Sequence, residues 1–181
     1  MDPIAESDSD GAPDPVAAAA RARRRARAET DAAHAEATIT SVVAGLAATG
    51  ARVVVETLGG TSCAGILSGL GSDHVVVSLD ERRRTAVRLD VIARVDVVAD
   101  GDTDIAPIDP TARRGTATLT DLIAELADAD APVTLRCGRA DVTGRIRWCG
   151  DDVAAVDRGE AGRTYVWLGS VSELSFSSSL L

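Results

Sequence analysis

From residue 37 onward the apolar positions fall into two similar blocks. In the first, Ile39, Val42, Val43 and Leu46 follow the i, i+3, i+4, i+7 spacing that lines one helix face; in the second, Leu119, Leu122, Ile123 and Leu126 do the same. Thr40 and Thr120 stand at the two starts and are of the residue type that caps free helix N–H groups. Strict alternation then predicts a half-buried strand, through Val53 and Val55 or Val133 and Leu135. A turn (Leu58-Gly59-Gly60-Thr61 or Gly138-Arg139-Ala140-Asp141) leads to a second strand. Gly71-Ser72-Asp73 or Gly150-Asp151-Asp152 turns into a third, which carries Val75 and Val77 or Ala154 and Val156. A charged loop, a fourth strand, a three-residue turn and a fifth strand complete each block.

The two blocks are an internal repeat. At an offset of 80, residues 37–53 lie over 117–133, with Thr38, Ala44, Leu46, Ala47 and Val53 matched by the same residue types. One residue drops out in a turn, and at an offset of 79 Gly65, Gly71, Asp73 and Val77 meet Gly144, Gly150, Asp152 and Val156. Thr85, Val87 and Leu89 then meet Thr164, Val166 and Leu168. Gly65 and Gly144 fall inside the second strand, where a missing side chain permits a sharp bend. The expected units are 37–98 and 117–176, joined by an acidic, proline-containing linker over 99–116 and followed by a short tail, 177–181.

Ahead of the repeat, residues 1–15 carry five acids and three prolines without apolar periodicity, which predicts a disordered tail. Residues 16–36 are rich in Ala and Arg, both strong helix formers. The resulting helix reads as a solvated charged rod or as a basic arm formed by Arg21, Arg23, Arg24, Arg25 and Arg27.

Composition narrows the chemistry. All 19 Lys and Arg residues are arginine, Asn and Gln are absent as well as Lys, and the net charge is −9. Without Lys there is no Schiff base and no Walker-type phosphate loop. Cys63, Cys137 and Cys149 form neither a disulfide framework nor Cys-x-x-Cys ligand pairs, and their odd count fits reduced thiols in a cytoplasm. No run is long enough for a membrane span. His34 reads as inert, and His74 as solvent-facing or partly packed rather than a general base. No catalytic centre, cofactor or metal site is expected.

A helix followed by five short, bent strands resembles the Sm-like small β-barrel. Gly65, Leu67, Asp73, Val75 and Val77 resemble the family's first motif, and Val87 to Val95 its second. The chain also resembles small actinobacterial proteins built as two such units. The resemblance implies a mainly β, α+β chain: two tandem helix-plus-five-stranded barrels whose units join edge to edge, with one edge satisfied internally by the tandem linkage. Structural roles then fall to Gly65, Gly144, Gly71, Gly150, Asp73 and Asp152.

Two functions follow. The first is a non-catalytic interaction or adaptor protein that binds a protein partner or itself through its barrel edges. The second is an RNA-binding regulator. Neither unit has the family's RNA-contacting Asn or full Arg-Gly pair, whose positions read Leu89-Asp90 and Leu168-Gly169. RNA would therefore fall to surface arginines, Arg82, Arg83, Arg84, Arg136, Arg139, Arg145 and Arg147, with Trp148 as a stacking face. The balance is −1 over 1–30, −2 over 31–98, −2 over 99–117 and −4 over 118–181, whereas phosphate affinity comes from local positive potential. The interaction protein is the favoured expectation.

Overall fold

A computed structural model describes residues 15–35, 37–98 and 115–177. The expected tail over 1–15 up to Asp14, the linker over 99–114 and the tail from 178 lie outside the described residues. The chain divides into two compact units, 1–37 and 38–181. In the first, α1 (Pro15–Ala35) begins on proline, whose missing N–H costs a helix nothing at its first position. Its five arginines are exposed.

The second unit is mainly β, in the α+β class. Its first half runs α2 (Ile39–Thr49), β1 (Arg52–Thr57), β2 (Ser62–Leu70), β3 (His74–Ser78), β4 (Arg83–Arg88) and β5 (Ile92–Val97). Its second runs α3 (Leu119–Asp128), β6 (Pro132–Cys137), β7 (Ala140–Cys149), β8 (Val153–Asp157), β9 (Arg163–Trp167) and β10 (Val171–Ser177). Tight turns of 3-10 helix, Leu89–Val91 and Leu168–Ser170, join β4 to β5 and β9 to β10.

Both helices start one turn fragment earlier than the threonine pattern predicts. The N-caps are Thr38 and Thr118, in extended backbone, and each forms a reciprocal box with the third helical residue, Ser41 or Asp121. Thr40 and Thr120 already lie inside the helices. Both helices end alike, with Gly50 and Asp130 in left-handed backbone; glycine meets no Cβ penalty there, and aspartate is among the few residues that tolerate it.

The repeat extends to individual backbone hydrogen bonds. Ala51 N–H donates to Leu46 O and Ala131 N–H to Leu126 O, both at 3.0 Å; Gly71 donates to His74 O and Gly150 to Val153 O, both at 2.8 Å. Bulges recur as well, between Leu67 and Gly69 and between Ile146 and Trp148. At Gly65 an added Cβ would collide with the Ser78 carbonyl and lie 2.9 Å from Val77 Cγ1; at Gly144 it would meet the Asp157 carbonyl and Val156 Cγ1 at 2.8 Å. Glycine is what lets β2 and β7 fold tightly over β3 and β8.

Each half has its own apolar core. Val53, Val55, Leu67, Val75, Val77 and Val87 pack with Val43 and Leu46 of α2. Val133, Leu135, Ile146, Val156, Val166 and Val171 pack with Leu122, Ile123 and Leu126 of α3. Burying one such Val, Leu or Ile contributes roughly 1.5–3 kcal/mol, so the two clusters dominate the favourable side of folding.

The sheet does not close within either half. All ten strands form one antiparallel sheet in the order β5-β1-β2-β3-β4-β10-β6-β7-β8-β9. Each half contributes the same run of five neighbours, and the halves meet where β4 pairs with β10.

Candidate interaction surface

The β4–β10 junction shows what this sheet does with an edge. Five residue pairs are in register, Val87 with Glu173, Ala86 with Leu174, Thr85 with Ser175, Arg84 with Phe176 and Arg83 with Ser177. Thr85 and Ser175 hydroxyls lie 2.9 Å apart, and the Thr61 hydroxyl donates to the Glu173 carboxylate. The outer face of the first half also takes part: Ala86 and Val76 pack into the core cluster of the second half. At the start of α3, Leu119 N–H donates to Asp73 Oδ1 at 2.8 Å, Ser72 N–H to Ala117 O at 2.9 Å and Gly115 N–H to Leu70 O at 2.8 Å. The negative Asp73 thus meets the positive end of a helix from the other half.

Among the described residues the two ends of the sheet, β5 and β9, each pair on one side. Unpaired strand edges are templates for another strand. Beside β9 lies an exposed aromatic group of Trp148, Tyr165 and Trp167, with the Trp148 and Tyr165 rings 6.1 Å apart and tilted by 48°. Ala155, between Trp148 and Tyr165 in the sheet, is buried. Along β5, Val97 is exposed, as is Val98 just beyond it.

The expected arginine surface is assembled only in part. Strand order brings β4, β10, β6 and β7 side by side. Arg83 and Arg84 line a cleft of about 270 Å³ together with Pro132, Val133 and Phe176. Arg145 lies opposite Pro132, near that end of β6. Arg136 and Arg139 sit at the other end, where Arg136 pairs with Asp141 at 2.9 Å and Arg139 is exposed in the turn. Acids hold most of the others. Arg83 pairs with Asp80 at 2.7 Å, Arg145 with Asp130 at 3.1 Å, and Arg147 with Asp157 at 3.0 Å and Asp130 at 3.5 Å. Arg82 is exposed and Arg84 half-buried. The bulge after Ile146 leaves Arg147 and Trp148 both exposed, although they are adjacent in sequence.

Buried polar groups serve the fold. His74 is more deeply packed than the sequence predicts; it is buried, with Nδ1 2.9 Å from Asp73 Oδ1, so the same carboxylate oxygen meets the imidazole and the α3 N-terminus. Cys63, Cys137 and Cys149 are free and half-buried. Burial, with the Glu173 charge second, pushes the Cys63 thiol up to about 11; burial also raises Cys137 and Cys149. Among the described residues no group of His, Cys, Asp and Glu could hold a metal ion, and no helix is long and apolar enough to cross a membrane.

Of the structural residues singled out in sequence, Asp73 and Gly71 lie at the junction between halves, while their counterparts Asp152 and Gly150 lie at the free end. Sequence reasoning missed Tyr165, Trp167 and Val97. The repeat itself held the signal: Tyr165 and Trp167 stand where the first half has Ala86 and Arg88, a sharp departure on one outer face. No known protein-family model matches the chain, and no curated protein does.

Proposed function

We propose that the chain is a non-catalytic cytoplasmic interaction protein, built of two tandem Sm-like small-barrel units, that binds partners by strand addition at its open edges β5 and β9. One observation carries this reading: the β4–β10 ladder is already an edge-to-edge addition between two like units, and among the described residues it leaves one edge of each kind without a partner strand. Support for the Sm-like units comes from the shared strand order, the glycine-bent second strand and the tight turn before the fifth. The three free thiols fit the cytoplasm. The arginines support RNA less well, since Asp80, Asp130, Asp141 and Asp157 already occupy Arg83, Arg145, Arg136 and Arg147. Unpaired local positive charge is what phosphate binding needs.

The test compares the full chain with two edge-blocked variants, Val95→Pro and Tyr165→Pro, in which proline removes a donor from the free side of the strand. Bound protein should be lost with the edges, and retention of total cellular RNA on filters should be weak and insensitive to Arg147→Ala. Strong, salt-sensitive RNA retention that Arg147→Ala abolishes would establish the RNA reading instead.

A further inference from the structure

Of the four aromatic residues in the chain, only Phe176 sits in a core cluster. Trp148, Tyr165 and Trp167 are 44 %, 63 % and 64 % exposed and share one outer face of the sheet. Trp148 and Tyr165 flank Ala155 in one cross-strand row. Trp167 stands two residues beyond Tyr165 on the same side of β9, opposite the half-buried Val153. The rings are seated. Ala155 is fully buried beneath the Trp148 and Tyr165 pair. A Cβ on Gly169 would come within 2.5 Å of the Trp167 indole, so that ring lies across a bare glycine. Their counterparts in the first half, Arg88 and Asp90, form an ion pair at 2.8 Å. The second half has a solvent-facing indole where the first has paired charges.

The polar edges of these rings offer donors, two indole N–H groups and a phenol O–H. None has a hydrogen-bond partner among the described residues. One end of the face is acidic. Leu168 N–H, next to Trp167, donates to Asp152 O at 2.8 Å, which sets the Asp151–Asp152 turn beside the indole. Both aspartates are exposed and form no ion pair among the described residues. At the other end the charges are matched: Asp157 pairs with Arg147 at 3.0 Å and stands opposite Arg163 in the ladder.

We infer that this face binds a proline-rich segment of a partner protein in polyproline II form, with a basic residue of that segment at the Asp151–Asp152 end. A prolyl residue presents an apolar ring and a carbonyl acceptor but no N–H, which suits rings whose edges donate. Polyproline II makes no internal hydrogen bonds, so its carbonyls are free to accept, and it is already ordered before it docks. Stacked nucleobases would bring phosphates toward two carboxylates, while Arg147 beside Trp148 is held by Asp157 and Asp130. The site is a sheet face rather than an edge, and it stands whether or not β5 and β9 accept strands.

The test adds decaproline peptides, flanked by two arginines, two serines or two glutamates, to the full chain. Both tryptophans of the chain stand on this face, so their emission reports binding directly. The arginine-flanked peptide should shift that emission saturably. Followed by polarisation of the labelled peptide, Trp167→Ala should weaken binding about tenfold or more. Tyr165→Phe, which keeps the ring and loses the donor, should weaken it less. Asp151→Asn combined with Asp152→Asn should erase the preference for arginine over serine flanks. Absence of saturable binding by all three peptides overturns the inference, as does binding that Trp167→Ala and Tyr165→Phe leave intact. Equal binding of the three by the unmodified chain removes the basic flank. An emission shift with total cellular RNA and with no peptide assigns the face to nucleic acid instead. Peptide binding that Val95→Pro abolishes and Trp167→Ala does not would place the peptide on the β5 edge, which overturns this inference and supports strand addition.

Discussion

Asp73 and Leu119 are 46 residues apart in sequence, yet one carboxylate oxygen of the first accepts the backbone N–H of the second at 2.8 Å. That N–H is one of the donors a helix start leaves without an internal partner. A side chain from the first half therefore completes a helix of the second, and this places a share of the second half's stability in the first.

Replacing Asp73 with Ala orphans the Leu119 N–H and removes the His74 partner. The expected cost is roughly 1–3 kcal/mol, read as a lower urea midpoint with an unchanged slope. Asp73→Asn keeps an acceptor and should cost less. Asp152→Ala, measured at low chain concentration, should leave the midpoint in place; an equal loss there would show that the carboxylate acts within its own half.

Gly65→Val and Gly144→Val should each cost about 1–3 kcal/mol or more, because both insert a side chain against a neighbouring carbonyl. Gly59→Ala serves as the control, since its Cβ would lie 3.6 Å from Thr57 Oγ1 in ordinary contact. Equal midpoints for all three variants and the parent chain would remove the bent-strand account.

Gly71 and Gly150 offer a matched pair with opposite expectations. Gly71→Ala presses on the His74 ring and the Ala117 carbonyl and should lower the midpoint; Gly150→Ala meets only ordinary contacts and should not. Denaturation of both variants at low chain concentration checks the difference.

Asp121 is held below the ordinary aspartate pKa of 3.8, chiefly by the Thr118 backbone N–H and then by its hydroxyl. Its folded pKa is the lower one, so the unfolded chain takes up the proton first as pH falls. The stabilisation is complete above the ordinary value and is lost as pH drops through the folded one. Thermal midpoints of the chain and of Asp121→Asn should differ at pH 6 and converge toward pH 2. A gap independent of pH would show that charge is not the cause.

Cys63 should alkylate slowly at pH 8 and gain reactivity toward pH 11, since the thiolate is the nucleophile. Glu173→Gln should speed it modestly by removing the second, smaller cause. Mass-spectrometric rates for the three thiols, taken while the fold persists, provide the check.

Local structure was legible where one residue's neighbours in sequence decide its fate. The alternation at Val53 and Val55, the helix faces ending in Leu46 and Leu126, and the two strand glycines all follow from short-range patterns that a repeat shows twice. The helix caps were misplaced by two residues because Thr38 and Thr40 are the same residue type, and the reciprocal bond from Ser41 separates them only in three dimensions. The burial of His74 depends on Asp73, whose orientation is set by Leu119. The arginines looked available in sequence because Asp130 and Asp157 reach Arg147 from other elements. Edge exposure is likewise a property of the whole sheet: nothing near Tyr165 in sequence says that β9 ends it.

The strand that ties the two halves together, β10, comes after all its partners in the chain. Thr85 must find Ser175 across 90 residues. Closing a span of that length costs only slightly more than closing a shorter one, but such distant pairings form late. During synthesis the first half emerges and folds ahead of the second, with β4 bare until β10 arrives. Throughout that interval a neighbouring nascent chain can supply its own β10 to the waiting strand. Two copies would then exchange second halves while preserving every native pairing. The same ladder that joins the two sheet halves thus makes their birth sensitive to crowding on a shared messenger, and dilution during refolding should favour the unexchanged form.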